Sequence, residues 1–476
     1  MAPKKKDKNK STVGETSGTA PKKCDILCWI LVPVFVVFLA VVSYKCYQTL
    51  TRVPDMPEVE LHKWWGASGS KADLSIRPYR IVFSDSMQEN IRRKFENYRS
   101  MTKVKSLNET SSYGLNSDAV AQIFAHWQFK YKYRERVRYL NKFDHFKTNI
   151  QGLDIHFVHV KPKAGPNVKV VPILLLHGWP TSVREFYEII PKLTTENSRY
   201  DFVFEVIAPS LPGFIYSQAP VRPGLSGYEM AVVIRNLMVR LGFKKFYVHG
   251  GDIGHIIGSH LATIFPDQVL GFHTTFPINF DKFAQMAWAA GEIWQNVGNN
   301  RQPFSNKLAN FLEETGYLHL QSTKPDTIGT VLQDSPMGLA TYIIDRIFAF
   351  TDPITKDLPD VGVSTFNATD LIDNVMLYWS TGSITTSLRL FKENIMNCEI
   401  EHTFASIPTS VPTWGLRTNN ALVHQSDTIL QWKFQNFVGA TNLDVGGHFP
   451  ALEIPDQVAD DIFKAVQSFL SLSKQK

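Results

Sequence analysis

Three short strings in this 476-residue sequence hold residue types that could do chemistry together: Gly250-Gly251-Asp252-Ile253-Gly254, His177-Gly178-Trp179-Pro180 and Gly446-Gly447-His448-Phe449-Pro450. In the first, Asp252 follows the apolar run Phe246-Tyr247-Val248 and precedes a helical pattern. That is the G-x-Nu-x-G elbow, in which a tight strand–turn–helix connection pushes the central side chain out at the carboxyl end of the strand. A carboxylate in that position attacks a saturated carbon bearing a leaving group and forms an ester. The backbone N–H of Ile253, at the helix start, is placed to hold negative charge, and the N–H of Trp179 would oppose it from an earlier loop. His448, after the last strand, could activate water against the ester carbonyl. The order Asp252 then His448 puts the nucleophile first and the histidine last. The plainer readings are an Asp N-cap on an ordinary helix and a simple Gly/Pro turn at 177–180. The strand order around the strings argues against both. His249 and His255, flanking the elbow, read as structural.

The elements that position these strings follow from hydrophobic periodicity. Ile155-His156-Phe157-Val158-His159-Val160 alternates like a half-buried strand. Continuous apolar runs at 170–176, 202–209 and 246–249 read as buried strands, and helical patterns at 183–193, 228–241 and 256–265 separate them. Buried strands alternating with helices imply a mostly parallel α/β sheet with right-handed crossovers. Helical patterns dominate residues 283–400, and strand character returns at 411–413 and 440–443 before a closing helix at 456–470. This divides the body into a segment at 50–165, a first core part at 166–282, a helical cap at 283–400 and a second core part at 401–476. The Trp and Tyr residues of 50–165 read as packing a wrapping segment onto the core.

The net charge of +6 is local, because residues 1–24 hold seven lysines against Asp7 and Glu15. The rest of the chain is close to neutral, which excludes a nucleic-acid surface on the folded body. Residues 1–25 read as a disordered basic tail. Residues 26–44 carry no charge and are long enough to span a hydrocarbon core of about 30 Å. The residues after this span are not those of a cleavage site, so it reads as an uncleaved single-pass anchor. The lysine bias puts the N-terminus in the cytosol and the body in the lumen. Two glycosylation sequons, Asn108-Glu109-Thr110 and Asn367-Ala368-Thr369, would matter only there. Of four cysteines only Cys398 lies in the globular part, so no disulfide framework holds it.

The ordered strings resemble the microsomal epoxide hydrolases, in the animal group that includes insect juvenile hormone epoxide hydrolases. The resemblance runs from Trp64-Trp65-Gly66 to the end, through Gly152-Leu153-Asp154, His177-Gly178-Trp179-Pro180, Gly250-Gly251-Asp252, Gly316-Tyr317, Lys324-Pro325-Asp326-Thr327, Asn374-Val375-Met376-Leu377-Tyr378-Trp379 and Gly446-Gly447-His448-Phe449. It implies an α/β-hydrolase fold with a helical cap, an endoplasmic-reticulum membrane location, and no cofactor or metal. The partners it implies are a small lipophilic epoxide, a juvenile hormone-like terpenoid or a xenobiotic, and water. Two cap tyrosines would bind the epoxide oxygen, the Asp would open the ring, and a His–acid pair would hydrolyse the ester to a diol. By that resemblance Asp252 is the nucleophile, His448 the base and Tyr317 one cap tyrosine.

Two family positions are not met. Phe391 stands where the second tyrosine is expected, and Ala421 where the acid partner of the histidine is expected. Ile253 replaces a usual Trp, and Thr181 a usual Gly. Asn419, Asn420, Asp427 and Asp281 are the residues that could stand in for the acid. Two readings follow: an epoxide hydrolase that releases its ester slowly, or a paralogue that binds or sequesters epoxide lipids. A haloalkane dehalogenase shares the Asp–His logic and is the third.

Overall fold

The structure is a computed structural model that describes residues 23–100, 113–296, 309, 312–351, 366–396, 399–421 and 423–474. Asn108 and Cys398 lie outside the described residues. The chain divides into two units, Met1–Arg52 and Val53–Lys476. The first contains one helix, Lys23–Thr51. Its stretch Leu31–Thr49 is long and apolar enough to cross a membrane, and none of it is buried in protein. The helix runs past the apolar stretch because no Gly or Pro interrupts residues 45–51.

The second unit is built on a nine-stranded sheet in the order β1-β2-β3-β5-β4-β6-β7-β8-β9. The strands are β1 Arg77–Tyr79, β2 His145–Ile150, β3 Leu153–Val160, β4 Lys169–Leu176, β5 Phe202–Pro209, β6 Phe246–Gly250, β7 Val269–Thr274, β8 Thr413–Thr418 and β9 Phe437–Leu443. From β5 to β9 all neighbours run parallel, and β1 to β3 join antiparallel at one edge. Side chains alternate across the sheet into two apolar cores. Leu174, Leu176, Val248 and Phe272 face one, and Ile173, Leu175, Tyr247 and Leu416 the other. This is the mostly parallel α/β-hydrolase sheet. β4 pairs with β5 on one side and β6 on the other, so the winding direction reverses there. Ligands of open α/β sheets bind outside the carboxyl ends of strands at such a switch point. Both Trp179 and Asp252 follow those two carboxyl ends.

Two local expectations differ. β3 is buried on both faces from Ile155 to Val158, and the His156 ring lies against Tyr79 and Tyr216 at centroid distances of 5.5 and 5.3 Å. His156 is accommodated there by hydrogen bonds to His145 and Ser210, both 2.9 Å. The helical pattern at 183–193 is broken into a 3₁₀ turn, Val183–Phe186, and a short helix, Ile190–Leu193. Pro191 sits in the first turn of the second, where its missing N–H costs nothing, and it cannot continue the first.

Between β7 and β8 the chain adds the helices Gly316–Thr323, Pro325–Asp334, Pro336–Ala349, Ala368–Thr381, Ile384–Ile395 and Glu399–Ser406. The segment before the core meets this cap at several points, among them a charged cluster. Asp373, fully buried, accepts from Tyr131 (2.8 Å) and Arg136, and Arg184 lies against Asp370 (2.6 Å) and Asp373 (3.5 Å). Burial raises the Asp373 carboxyl above its usual range even with both guanidiniums opposing. A buried charge cluster of this kind contributes more to fixing the register of its parts than to net stability.

Candidate active site

The elbow is strained where the sequence requires it. Asp252 has φ 50 and ψ −125, outside the regions favoured by residues with a side chain. A β-carbon on Gly254 would lie 2.0 Å from the Leu176 carbonyl oxygen, and one on Gly178 would lie 2.5 Å from the Asp252 β-carbon. Glycine at both positions is therefore a packing requirement of the strand–turn–helix geometry. The helix Ile253–Ile264 starts on the next residue. The Ile253 amide is one of its first-turn donors, which have no carbonyl acceptor inside the helix.

The Asp252 carboxylate is held from two sides. The Trp179 N–H donates to Oδ1 at 2.8 Å, and Nε2 of His448 lies 3.0 Å from Oδ2. His448 is 4% exposed, and its ring is walled by Phe276, Phe350 and Phe449 at centroid distances of 4.8, 5.7 and 4.8 Å. Its Nδ1 is buried with no hydrogen-bond partner among the described residues. An ionised carboxylate only accepts, so Nε2 carries the proton in this contact. A bare Nδ1 lone pair among aromatic rings costs less than an orphaned N–H there. The ring is thereby biased to the Nε2–H tautomer, which cannot take a proton from water at Nε2.

None of the candidate acids corrects this. Ala421 follows β8 by three residues, and its N–H donates to Thr418 O at 3.3 Å. Thr418 in turn donates to Gly447 O at 2.8 Å, beside His448. The 421 turn thus starts from the histidine loop but carries no acid. Asp427 is taken by Arg417 at 2.5 Å. Asp281 accepts from the Ala284 N–H (3.0 Å) and the Ser406 hydroxyl (2.6 Å). Asn419 is exposed and Asn420 half-buried, and neither pairs with the ring. Of the residues that could have stood in for the acid, each carboxylate is already committed to a nearer donor.

Tyr317 opens the cap helix Gly316–Thr323, and its ring stacks on Trp179 at 5.5 Å and 15°. Burial and then the Asp252 charge push its phenol well above the ordinary range, so it stays a proton donor. Phe391, on the cap helix Ile384–Ile395, meets Trp179 edge-on at 5.4 Å and Tyr317 at 6.2 Å. Asp252, Ile253, Tyr317, Phe391 and His448 line one cavity of about 450 Å³ whose other walls include Ile256, Ile278 and Phe280. His255 packs against Phe276 and Phe280 of the cavity lining, and His249 lies against Phe186 and His273. Burial holds His255 neutral, down to about 3, while it bonds Thr274 and the Ile278 carbonyl at 2.9 Å.

The sequence reading missed the bracing of the Trp179 loop. Asn374 donates to Pro180 O at 2.7 Å and accepts from Ser182 at 2.7 Å, and the Tyr378 hydroxyl donates to Thr181 O at 2.8 Å. The i,i+4 pair Asn374 and Tyr378 on one helix was its only sequence signal. Thr181, where glycine is usual in the resemblance, donates to Glu185 at 2.6 Å. Burial raises the Glu185 carboxyl to about 7, against that hydroxyl and with the help of the Asp252 charge. Its native form therefore keeps a proton that the unfolded chain loses near pH 4.5. Stability must then fall as pH rises from about 4.5 to about 7. Glu185→Gln keeps the acceptor for Thr181 and should remove up to about 3 kcal/mol of that decline. Urea unfolding of both proteins at pH 5 and pH 8 measures it; equal pH dependence in the two would count against a protonated Glu185.

Comparison with known proteins agrees with this geometry. Residues 76–186 match the family model described as epoxide hydrolase N terminus, and residues 171–322 match the alpha/beta hydrolase fold model. The juvenile hormone epoxide hydrolase of Bombyx mori is 42% identical over 90% of this chain and 94% of its own length. Epoxide hydrolase 1 of Sus scrofa is 35% identical over 87% of this chain and 93% of its own. The crystal structure of the silkworm enzyme superposes with a TM-score of 0.84 over 87% of this chain and 100% of that one. With a strained aspartate elbow, a paired histidine and a capped apolar cavity in one sheet end, the chain belongs to the epoxide hydrolase family.

Proposed function

We propose that this protein opens lipophilic epoxides on Asp252 and hydrolyses the resulting ester slowly to a diol. The observation that carries the reading is the Asp252 carboxylate, bridged by the Trp179 N–H and His448 Nε2 at the floor of an apolar cavity. Asp252 attacks one epoxide carbon, the C–O bond breaks, and Tyr317 gives its proton to the leaving oxygen. Water then loses a proton to His448 and adds to the ester carbonyl. The oxyanion so formed faces the amides of Trp179 and Ile253; as it collapses, the proton of the added hydroxyl passes to the departing alcohol oxygen, which releases the diol and restores the carboxylate, and the proton held by His448 returns to the Tyr317 phenolate. The second step requires Nε2 to be unprotonated, which the orphaned Nδ1 disfavours.

The insect relatives favour a terpenoid epoxide of the juvenile hormone kind as substrate. The apolar helix Leu31–Thr49 supports a single-pass membrane anchor, and the family resemblance favours the endoplasmic reticulum as its membrane. A second reading, a paralogue that sequesters epoxide lipids, is favoured by Ala421 and Phe391. Incubating the full chain in detergent with a long-chain epoxide and following both diol and intact protein mass separates the two. Repeated diol turnover supports the enzyme, a permanent adduct supports the sequestering paralogue, and neither product nor adduct contradicts both. Phe391→Tyr supplies a second donor to the leaving oxygen and is expected to speed adduct formation about 10²-fold. Rapid-quench mass analysis of the first turnover reads that rate; an unchanged rate would mean that Tyr317 alone suffices.

A further inference from the structure

In the proposed ring opening, the leaving oxygen takes a proton from Tyr317 and the tyrosine becomes a phenolate. Phe391 has no hydroxyl, so that negative charge is not shared with a second tyrosine at this position. Burial and the Asp252 carboxylate both oppose it. A single-donor site therefore needs something in the cap that offsets them.

Arg346, in the last turn of the cap helix Pro336–Ala349, brings a positive charge to this ring. The centre of its guanidinium lies over the Tyr317 ring, 5.5 Å from the centroid. Phe350 packs against both, 5.7 Å from the Tyr317 ring and 6.0 Å from the guanidinium. The Arg346 side chain is 14% exposed, so little water screens its charge. Hydrogen bonds hold it in place. Nη1 donates to the carbonyl of Glu314, three residues before Tyr317, at 3.0 Å. Nε and Nη2 donate to Asp345 Oδ2 at 3.1 and 2.5 Å. The Glu314 carboxylate lies 3.6 Å from Nη1.

A cation over an aromatic face is attracted to the ring, and the attraction grows when the ring gains a full negative charge. Asp252 and Tyr342 resist ionisation of the Tyr317 phenol, and Arg346 favours it. Asp345 and Glu314 temper the guanidinium, so the field at Tyr317 depends on how far they balance it.

We propose that Arg346 is a positioning residue for ring opening, which stabilises the negative charge left on Tyr317 as that tyrosine protonates the epoxide oxygen. It acts on the substrate only through Tyr317. The inference rests on the epoxide reading of the site.

The full chain in detergent, given a long-chain epoxide, is followed by rapid-quench mass analysis of adduct formation. Arg346→Gln is expected to slow that step about tenfold, the scale of one partly buried cation–ring contact. Arg346→Lys keeps the charge and should restore most of the rate. Asp345→Asn removes one carboxylate from the guanidinium, while its amide oxygen can still accept from the Leu115 N–H, now 3.0 Å from Asp345. That variant should speed adduct formation about two- to threefold. A merely structural Arg346 would make all of these variants slower, since each disturbs the same contacts. Thermal unfolding identifies any variant that does not fold, and the others still decide. An unchanged rate in Arg346→Gln, or slowing in both Arg346→Lys and Asp345→Asn, overturns the proposal. If the parent protein itself forms no adduct, the epoxide reading fails and this inference with it. Adduct formed by the parent at a rate indifferent to residue 346 removes this inference alone.

Discussion

Ala421→Glu is expected to speed release of the alkyl ester from Asp252 by about 10²-fold, while leaving the rate of ester formation nearly unchanged. Removing the orienting acid of a serine triad costs on the order of 10⁴ through the wrong histidine tautomer. A new glutamate in an untuned turn should recover only part of that. The site favours the experiment. Residue 421 is half-buried and follows Thr418, whose hydroxyl donates to the carbonyl of Gly447 next to His448. A carboxylate there would accept an Nδ1–H, turn the ring over to the other tautomer and free the Nε2 lone pair for water. Rapid-quench analysis of a single turnover resolves the two steps. If release stays as slow as in the parent protein, the orphaned Nδ1 is not what limits it.

Asp252→Asn is expected to lower ester formation by at least about 10⁴-fold, because a neutral amide replaces the attacking carboxylate. The fold should tolerate it. Asn has nearly the size and shape of Asp, so it can occupy the same strained backbone at φ 50. The amide oxygen can still accept from the Trp179 N–H, now at 2.8 Å to Oδ1. Thermal unfolding should therefore barely move while adduct formation disappears. Adduct formed at the parental rate in this variant would place the nucleophile elsewhere.

The strings of the proposed site were legible because their geometry restricts their composition. Gly254 and Gly178 have no room for a β-carbon, so the elbow and its facing loop announce themselves as glycine patterns. Tyr317 and the substitutions at Phe391 and Ala421 were legible through the family resemblance alone. Long-range consequences were not. Nothing local to Asp373 says that Arg136 and Arg184 meet it from separate segments. The brace from Asn374 and Tyr378 to the Trp179 loop spans nearly two hundred residues of sequence and could be seen only once the cap was folded onto the core. The alternation of β3 suggested one wet face, but Tyr79 and Tyr216 from distant segments pack against its His156. Of the four stand-in residues two are acids, Asp427 and Asp281, and their nearer donors, Arg417, Ser406 and the Ala284 amide, could not be read from the sequence. The free Nδ1 atoms of His448 and His260 are properties of packing, with no sequence signal.

The central claim is that Asp252 forms a covalent ester whose release is slow, and one single-turnover reaction in ¹⁸O-labelled water tests it most directly. With protein in excess over a long-chain epoxide, the account predicts an early protein species heavier by one epoxide. Its slow decay should leave the label in the Asp252 carboxylate and not in the first diol released. A diol carrying the label, formed with no covalent species on Asp252, would contradict the account, since water would then have attacked the epoxide itself.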